Sequence, residues 1–166
     1  YKPGFAINPL KLVNGIVKYA LSKKLKIFEH TLVDKIDKIN GSYILRTKEG
    51  SINTKKVVVA TNGFYQEGLV PQINSRILPV ISNIIVTRKL TKNELDLHNF
   101  KTFSPIANTK NLLYYYRKLP DNRILFGTRG DFIGSDQSNL NRSKKMENFL
   151  KNIFPKWSDV SIEYNW

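Results

Sequence analysis

The stretch NLLYYYRKLPDNRILFGTR, residues 111–129, decides how the rest of the chain is read. Asn111–Lys118 and Arg123–Arg129 are two β-prone runs. Pro120-Asp121-Asn122 between them is turn chemistry, because proline presets φ while Asp and Asn bond back to nearby backbone. The segment therefore predicts an antiparallel hairpin. Side chains alternate across a strand, so Tyr114, Tyr115 and Tyr116 must place at least one hydroxyl on each face. Either Tyr114 and Tyr116 fill a core while Tyr115 faces outward, or the reverse. Gly127 stands inside the second strand, which points to a bulge or to close approach of another group to the backbone.

Working outward, apolar residues at Met146, Phe149, Leu150 and Ile153 have helical spacing, which predicts a helix over 139–153 that Pro155 stops. Val160, Ile162, Tyr164 and Trp166 alternate as a last strand. Upstream, Arg76–Leu90 is β-branched and broken by Pro79, and Phe100–Ala107 reads as a further strand. Thr91 with Glu94 three residues on is a capping box opening a short helical turn to Leu97.

Nearer the start, residues 1–8 read as extended, and Asn8-Pro9 announces a helix whose stripe is Leu10, Val13, Ile16, Val17, Ala20 and Leu21. Gly15 inside it lowers helix propensity, as though another element approached there. Short strands are expected at 25–29, 32–39, 42–47 and 51–54, with Asn40-Gly41 as a hairpin turn. Lys55–Ala60 differs: its continuous valines predict a strand buried on both faces, of the kind found in parallel sheets, ending in Ala60-Thr61-Asn62-Gly63. Backbone beyond the carboxyl end of such a strand is where open α/β sheets bind ligands. The composition break at 65–74 marks the candidate boundary between strand clusters. The fold class is α+β.

Composition narrows the function. The 166 residues carry a formal charge of +14, 27 Lys and Arg against 13 acidic residues. Such a balance raises nucleic acid as a partner. Yet Lys, Asn and Ile together number 54, and all three have A/T-rich codons, so base composition accounts for the excess. Lysines also outnumber arginines 20 to 7 and stand in ones and twos, unlike a tract built for bidentate phosphate contacts. No specific nucleic-acid partner is expected, nor is a membrane span, since no apolar run approaches the ~20 residues required. With no Cys and only His30 and His98, disulfides, thiolate chemistry and a His-rich metal site are excluded or disfavoured. GxGxxG, P-loop, GxSxG and HExxH motifs do not occur, and no catalytic residue or metal ligand is assigned.

In this order and spacing, four segments resemble the D-amino-acid-oxidase-like FAD-dependent oxidoreductases, closest to the branch of gamma-glutamylputrescine oxidoreductases and related amine oxidases. They are GFAINPLKLVNGIVKYALSKKLKIFEHTLVDKI, VVVATNGF, NLLYYYRKLPDNRILFGTR and FPKWSDVSIEYNW. The resemblance implies hydride transfer from the carbon beside nitrogen of an amine or amino acid to FAD, giving an imine that water hydrolyses. It also implies cofactor contacts at Val33, Ala60, Thr61 and Asn62, and substrate contacts at Tyr114, Tyr115, Tyr116 and Arg117. The family's GxGxxG unit would precede Tyr1, and its last flavin segment would follow Trp166. The chain is thus expected to be an inner piece of a cytoplasmic enzyme, inactive alone and not binding FAD tightly. Its parts would be a substrate-domain strand at 1–8, a partial FAD-binding α/β domain at 9–72 without its Rossmann unit, and an antiparallel substrate domain with flanking helices at 73–166. A surface stripped of neighbours would favour self-association. The alternative is a basic module binding nucleic acid or protein through an antiparallel sheet, which steep salt dependence would reveal.

Overall fold

A computed structural model describes residues 5–111, 113–131 and 134–166. Residues 1–4 of the first extended segment, and Leu112 at the head of the tyrosine strand, lie outside the described residues. The chain divides into two units, Asn8–Pro79 and Val80–Trp166, the latter taking in the described residues up to Ile7. The division falls after the segment 65–74, which lies wholly within the first unit.

In Asn8–Pro79, helix α1 is Pro9–Ser22, and the Asn8 side chain accepts from the Lys11 N–H at 3.0 Å. This satisfies one of the donors that a helix start leaves open. Lys23 and Lys24 close the helix, with Lys24 in the left-handed region at φ 63°. The predicted apolar stripe forms, yet α1 has no buried residue. Next comes an antiparallel meander of β1 (Lys35–Ile39), β2 (Ser42–Thr47) and β3 (Gly50–Thr54). Asn40 and Gly41 turn β1 into β2 with φ of 49° and 79°, the left-handed pair that this tight turn requires.

Two expectations fail in this unit. Residues 25–29 form no strand. Val57–Ala60 joins no ladder, and Val58 is 88% exposed, so it is not a strand buried on both faces. Every strand pairing among the described residues is antiparallel. A valine run records fitness for burial, but burial itself requires neighbouring strands. The loop 65–74 is tied internally: the Tyr65 hydroxyl accepts from the Val70 N–H at 2.9 Å and lies 2.8 Å from Asn74 Oδ1.

The second unit is built on β4 (Ile81–Thr87), β5 (Ile106–Ala107), β6 (Tyr114–Lys118), β7 (Ile124–Asp131) and β8 (Ile162–Asn165). They form one five-stranded sheet in the order β5-β6-β7-β4-β8. The predicted strand at 100–107 contracts to β5, and the hairpin at 111–129 forms as β6 and β7. Helix α2 (Lys92–Leu97) carries the capping box, with Glu94 also clamping Arg88 at 2.7 Å. Helix α3 (Asp136–Ile153), begun by Ser135, packs against one sheet face with Met146 and Leu150 buried.

Under α3 the core gathers Ile85, Ile124, Phe126 and Trp157, all nearly inaccessible to water. Burying each contributes about 1.5–3 kcal/mol. The one polar atom of Trp157 is satisfied, since its indole N–H donates to the Glu94 carbonyl at 2.7 Å. Lys118 ends β6 inside this face, donating to the Phe100 and Lys101 carbonyls at 3.4 and 3.3 Å with its ammonium 4.2 Å from the Phe103 ring centroid.

Candidate functional site on the open sheet face

One face of the five-stranded sheet is closed by α3; among the described residues of this unit no helix packs on the other. Strand alternation sorts the three tyrosines between them. Tyr114 stacks on Phe149 of α3 at 4.0 Å between centroids, and Tyr116 lies 5.9 Å from Phe126 and 5.6 Å from Phe154. Both therefore belong to the helix-covered face, and burial pushes the Tyr116 phenol above its ordinary pKa. Tyr115 faces the open side and is half-buried.

Gly127 explains how Tyr115 is held. It is the cross-strand partner of Tyr115 on β7, and a Cβ built there would overlap two Tyr115 ring carbons and the hydroxyl oxygen. The glycine thus serves close approach, not a bulge; the register shift in β4 lies elsewhere, at Ile81/Ser82. With no side chain in the way, the ring crosses β7 and its hydroxyl meets Ser82 Oγ on β4 at 2.7 Å. Ser82 Oγ in turn lies 3.3 Å from the Thr128 carbonyl oxygen.

Two arginines share this face by strand register. Arg117, two residues along β6 on the same face, is half-buried and donates to the Ile7 carbonyl at 3.5 Å. Arg129, two residues beyond Gly127 and directly across from Ser82, is exposed. The open face thus carries a pinned phenol and two permanent cations, groups able to recognise a small molecule bearing a carboxylate. Sequence reasoning named Tyr115 and Arg117 but missed Ser82 and Arg129. A polar residue inside the β-branched run ISNIIV was the available signal for Ser82, but only the register tells which neighbour it meets.

Val33, Ala60, Thr61 and Asn62 lie in the other unit. Val33 is half-buried just before β1. Ala60, Thr61 and Asn62 are exposed and end in a turn, with Asn62 at φ 54° and the Phe64 N–H donating to the Thr61 carbonyl at 3.0 Å. The group called cofactor-binding thus sits apart in the chain from the group called substrate-binding, each within its own unit. Among the described residues no group of three or more His, Asp or Glu could hold a metal ion.

Residues 1–166 match the family described as DAO, FAD dependent oxidoreductase. The chain belongs to that FAD-dependent family. Among curated relatives it is 30% identical over 164 residues to the "Probable oxidoreductase OrdL" of Haemophilus influenzae, covering 96% of this chain and 36% of the relative. It is 28% identical over 160 residues to the protein of the same name in Rhizobium meliloti, again 96% and 36%. Gamma-glutamylputrescine oxidoreductase of Escherichia coli is 27% identical over 163 residues, 98% of this chain and 37% of that protein. The chain thus spans little more than a third of the relatives it matches. In fold it is similar to glycine oxidase from Geobacillus kaustophilus, with a TM-score of 0.61 and 17% identity over 93% of this chain and 40% of that one.

Measured against FAD, the residues present supply exposed backbone at Ala60, Thr61 and Asn62 and no more of a dinucleotide site than that. Among the described residues the valine segment has no strand beside it, and it leads to a turn of exposed Thr61, Asn62 and Gly63 followed by the exposed Phe64. A glycine-rich helix start for the pyrophosphate does not occur in this sequence.

Proposed function

We propose that the protein to which these residues belong oxidises an amine or amino acid with FAD, and that this chain supplies the substrate-side sheet face. In this reading Val80–Trp166, with the residues up to Ile7, is the substrate-binding domain, and Asn8–Pro79 is part of the FAD-binding domain; residues 5–8 form no strand. Backbone groups at Val33, Ala60, Thr61 and Asn62 would hold a flank of the cofactor. Bound flavin supplies the hydride acceptor, and the protein's part is binding and orientation. Arg117 holds a substrate carboxylate by charge-assisted hydrogen bonds. Tyr115 fixes the nitrogen end, while Tyr114 and Tyr116 anchor the strand from behind.

The observation that carries the proposal is Tyr115 laid over Gly127 and tied to Ser82 on the open sheet face. The test is anaerobic mixing of the FAD-loaded full-length protein with a panel of amines and amino acids. Bleaching of the flavin by at least one of them is expected. A flavin that dithionite reduces and none of these substrates does would overturn the proposal. The 166-residue chain alone is expected to show no saturable quenching of FAD fluorescence at micromolar concentration.

A further inference from the structure

Three Asn-Gly pairs occur in the chain, Asn14-Gly15, Asn40-Gly41 and Asn62-Gly63. Glycine has no side chain to shield its backbone nitrogen from the preceding Asn amide, so all three share one latent reaction. The Gly nitrogen attacks the Asn Cγ and closes a cyclic succinimide, and the side-chain nitrogen leaves as ammonia. Water then opens the ring at either carbonyl. One product is aspartate; the other is isoaspartate, with the backbone rerouted through the side chain. No oxidant, reductant or metal takes part. What differs between the sites is how much structure must open before nitrogen and Cγ meet.

Asn14-Gly15 lies inside α1, where the Gly15 N–H belongs to the helix ladder. Asn40-Gly41 is the turn between β1 and β2, closed behind by the Ile39–Ser42 and Lys38–Tyr43 pairs. Opening it means unzipping the meander. Asn62-Gly63 has neither restraint. Among the described residues no strand pairs with 57–64, Thr61 to Phe64 are all exposed, and Phe64 is 91% exposed. The backbone bond across this turn runs from the Phe64 N–H to the Thr61 carbonyl at 3.0 Å. We propose that Asn62 is a site of spontaneous deamidation, converting to aspartate and isoaspartate ahead of Asn40 and far ahead of Asn14. A carboxylate thereby replaces an amide, and the isoaspartate form lengthens the backbone just after the valine segment. The inference uses backbone chemistry alone and does not rest on the amine-oxidising reading.

The test ages the full-length protein in mildly alkaline buffer and follows each amide-to-acid mass change by peptide mass spectrometry. Trypsin puts the three sites on separate peptides, 12–18, 39–46 and 57–76, so each is a control for the others. Fragmentation separates Asn62 from Asn74, whose Oδ1 accepts from the Tyr65 hydroxyl at 2.8 Å and the Gly68 N–H at 3.0 Å. Asn62 is expected to convert several-fold faster than Asn40, with Asn14 slowest, and in urea the three rates should converge. Gly63→Ala should slow Asn62 several-fold, because the methyl shields the attacking nitrogen. That variant should keep the melting temperature, since Gly63 has no positive φ and a Cβ there would meet Pro79 Cβ at an ordinary 3.9 Å. Asn40 or Asn14 converting first in the native protein would overturn the inference. So would a native order that survives unchanged in urea, which would trace it to neighbouring residues and not to the fold.

Discussion

Helices α1 and α3 carry comparable apolar stripes and meet opposite fates. In α3, Met146 and Leu150 are 2% and 3% exposed beneath the five-stranded sheet. In α1, Leu10, Val13 and Ile16 each remain more than half exposed. The difference lies in what surrounds them: α3 has a sheet face rich in aromatic rings to close, and α1 has no buried residue in this chain. Amphipathic pattern makes a helix competent to bury a face, and the sheet opposite decides whether it does. Val58, Phe28 and Phe64 extend the same exposed apolar character through Asn8–Pro79. That is the composition of a surface made to be covered, and we propose that it associates with another copy when the chain is isolated.

The contrast can be broken most directly by truncating each region. Phe126→Ala, at a fully buried position, should cost about 3–5 kcal/mol in urea unfolding, whereas Ile16→Ala on α1 should cost under about 1 kcal/mol. Equal losses would mean that α1 is covered in solution. Next in size is Gly127→Ala, whose methyl must displace the Tyr115 ring; about 1–3 kcal/mol is expected, recovered in large part when Tyr115→Ala is added.

Smaller still is the α2 cap. Thr91→Ala removes the acceptor of the Glu94 N–H and should cost about 1 kcal/mol. Acid should weaken the same corner. The Arg88 guanidinium first, then the Thr91 backbone N–H, lower the Glu94 pKa from 4.5 to about 2. Its folded pKa is depressed, so its contribution is complete above pH 4.5 and is lost as pH falls through about 2. His98 follows the same sign higher up. Burial first, and Lys156 second, hold it below its usual 6.5, and its Nε2 accepts from the Lys156 N–H at 3.1 Å. The unfolded chain takes that proton first, so stability should decline as pH drops below 6.5, and His98→Gln should flatten melting temperature against pH there.

Gly15→Ala should have the smallest effect and the most informative sign. Nothing lies within 4 Å of a Cβ at Gly15, so the isolated chain should gain about 0.5–1 kcal/mol from helix propensity. Destabilisation of the full-length protein by the same change would show that another element packs against that position.

Much was legible from local chemistry because its causes are local. Asn8-Pro9, the Thr91/Glu94 box, Asn40-Gly41 and the hairpin through Pro120–Asn122 each satisfy their own backbone within a few residues, and each forms where the residues say. Where a reading needed a distant neighbour it was less secure. Val57–Ala60 had the composition of a buried parallel strand, and no strand here pairs with it. The last strand alternates as written, yet Tyr164 and Trp166 stay exposed while Val160 is buried.

The same divide runs through the site. Three tyrosines in a row and a glycine in a strand were visible as unusual, and alternation alone required a phenol on each face. The sequence by itself determined the elements, the family to which their order belongs, and the residue types available for recognition. Tertiary structure alone decided that Tyr115 is the outward phenol, that Gly127 is its shelf and that Ser82 is its partner. Those facts depend on register between β4, β6 and β7, which joins residues 33 and 46 positions apart in the chain. No local preference encodes such a pairing; it is fixed by which face of the sheet the α3 core buries.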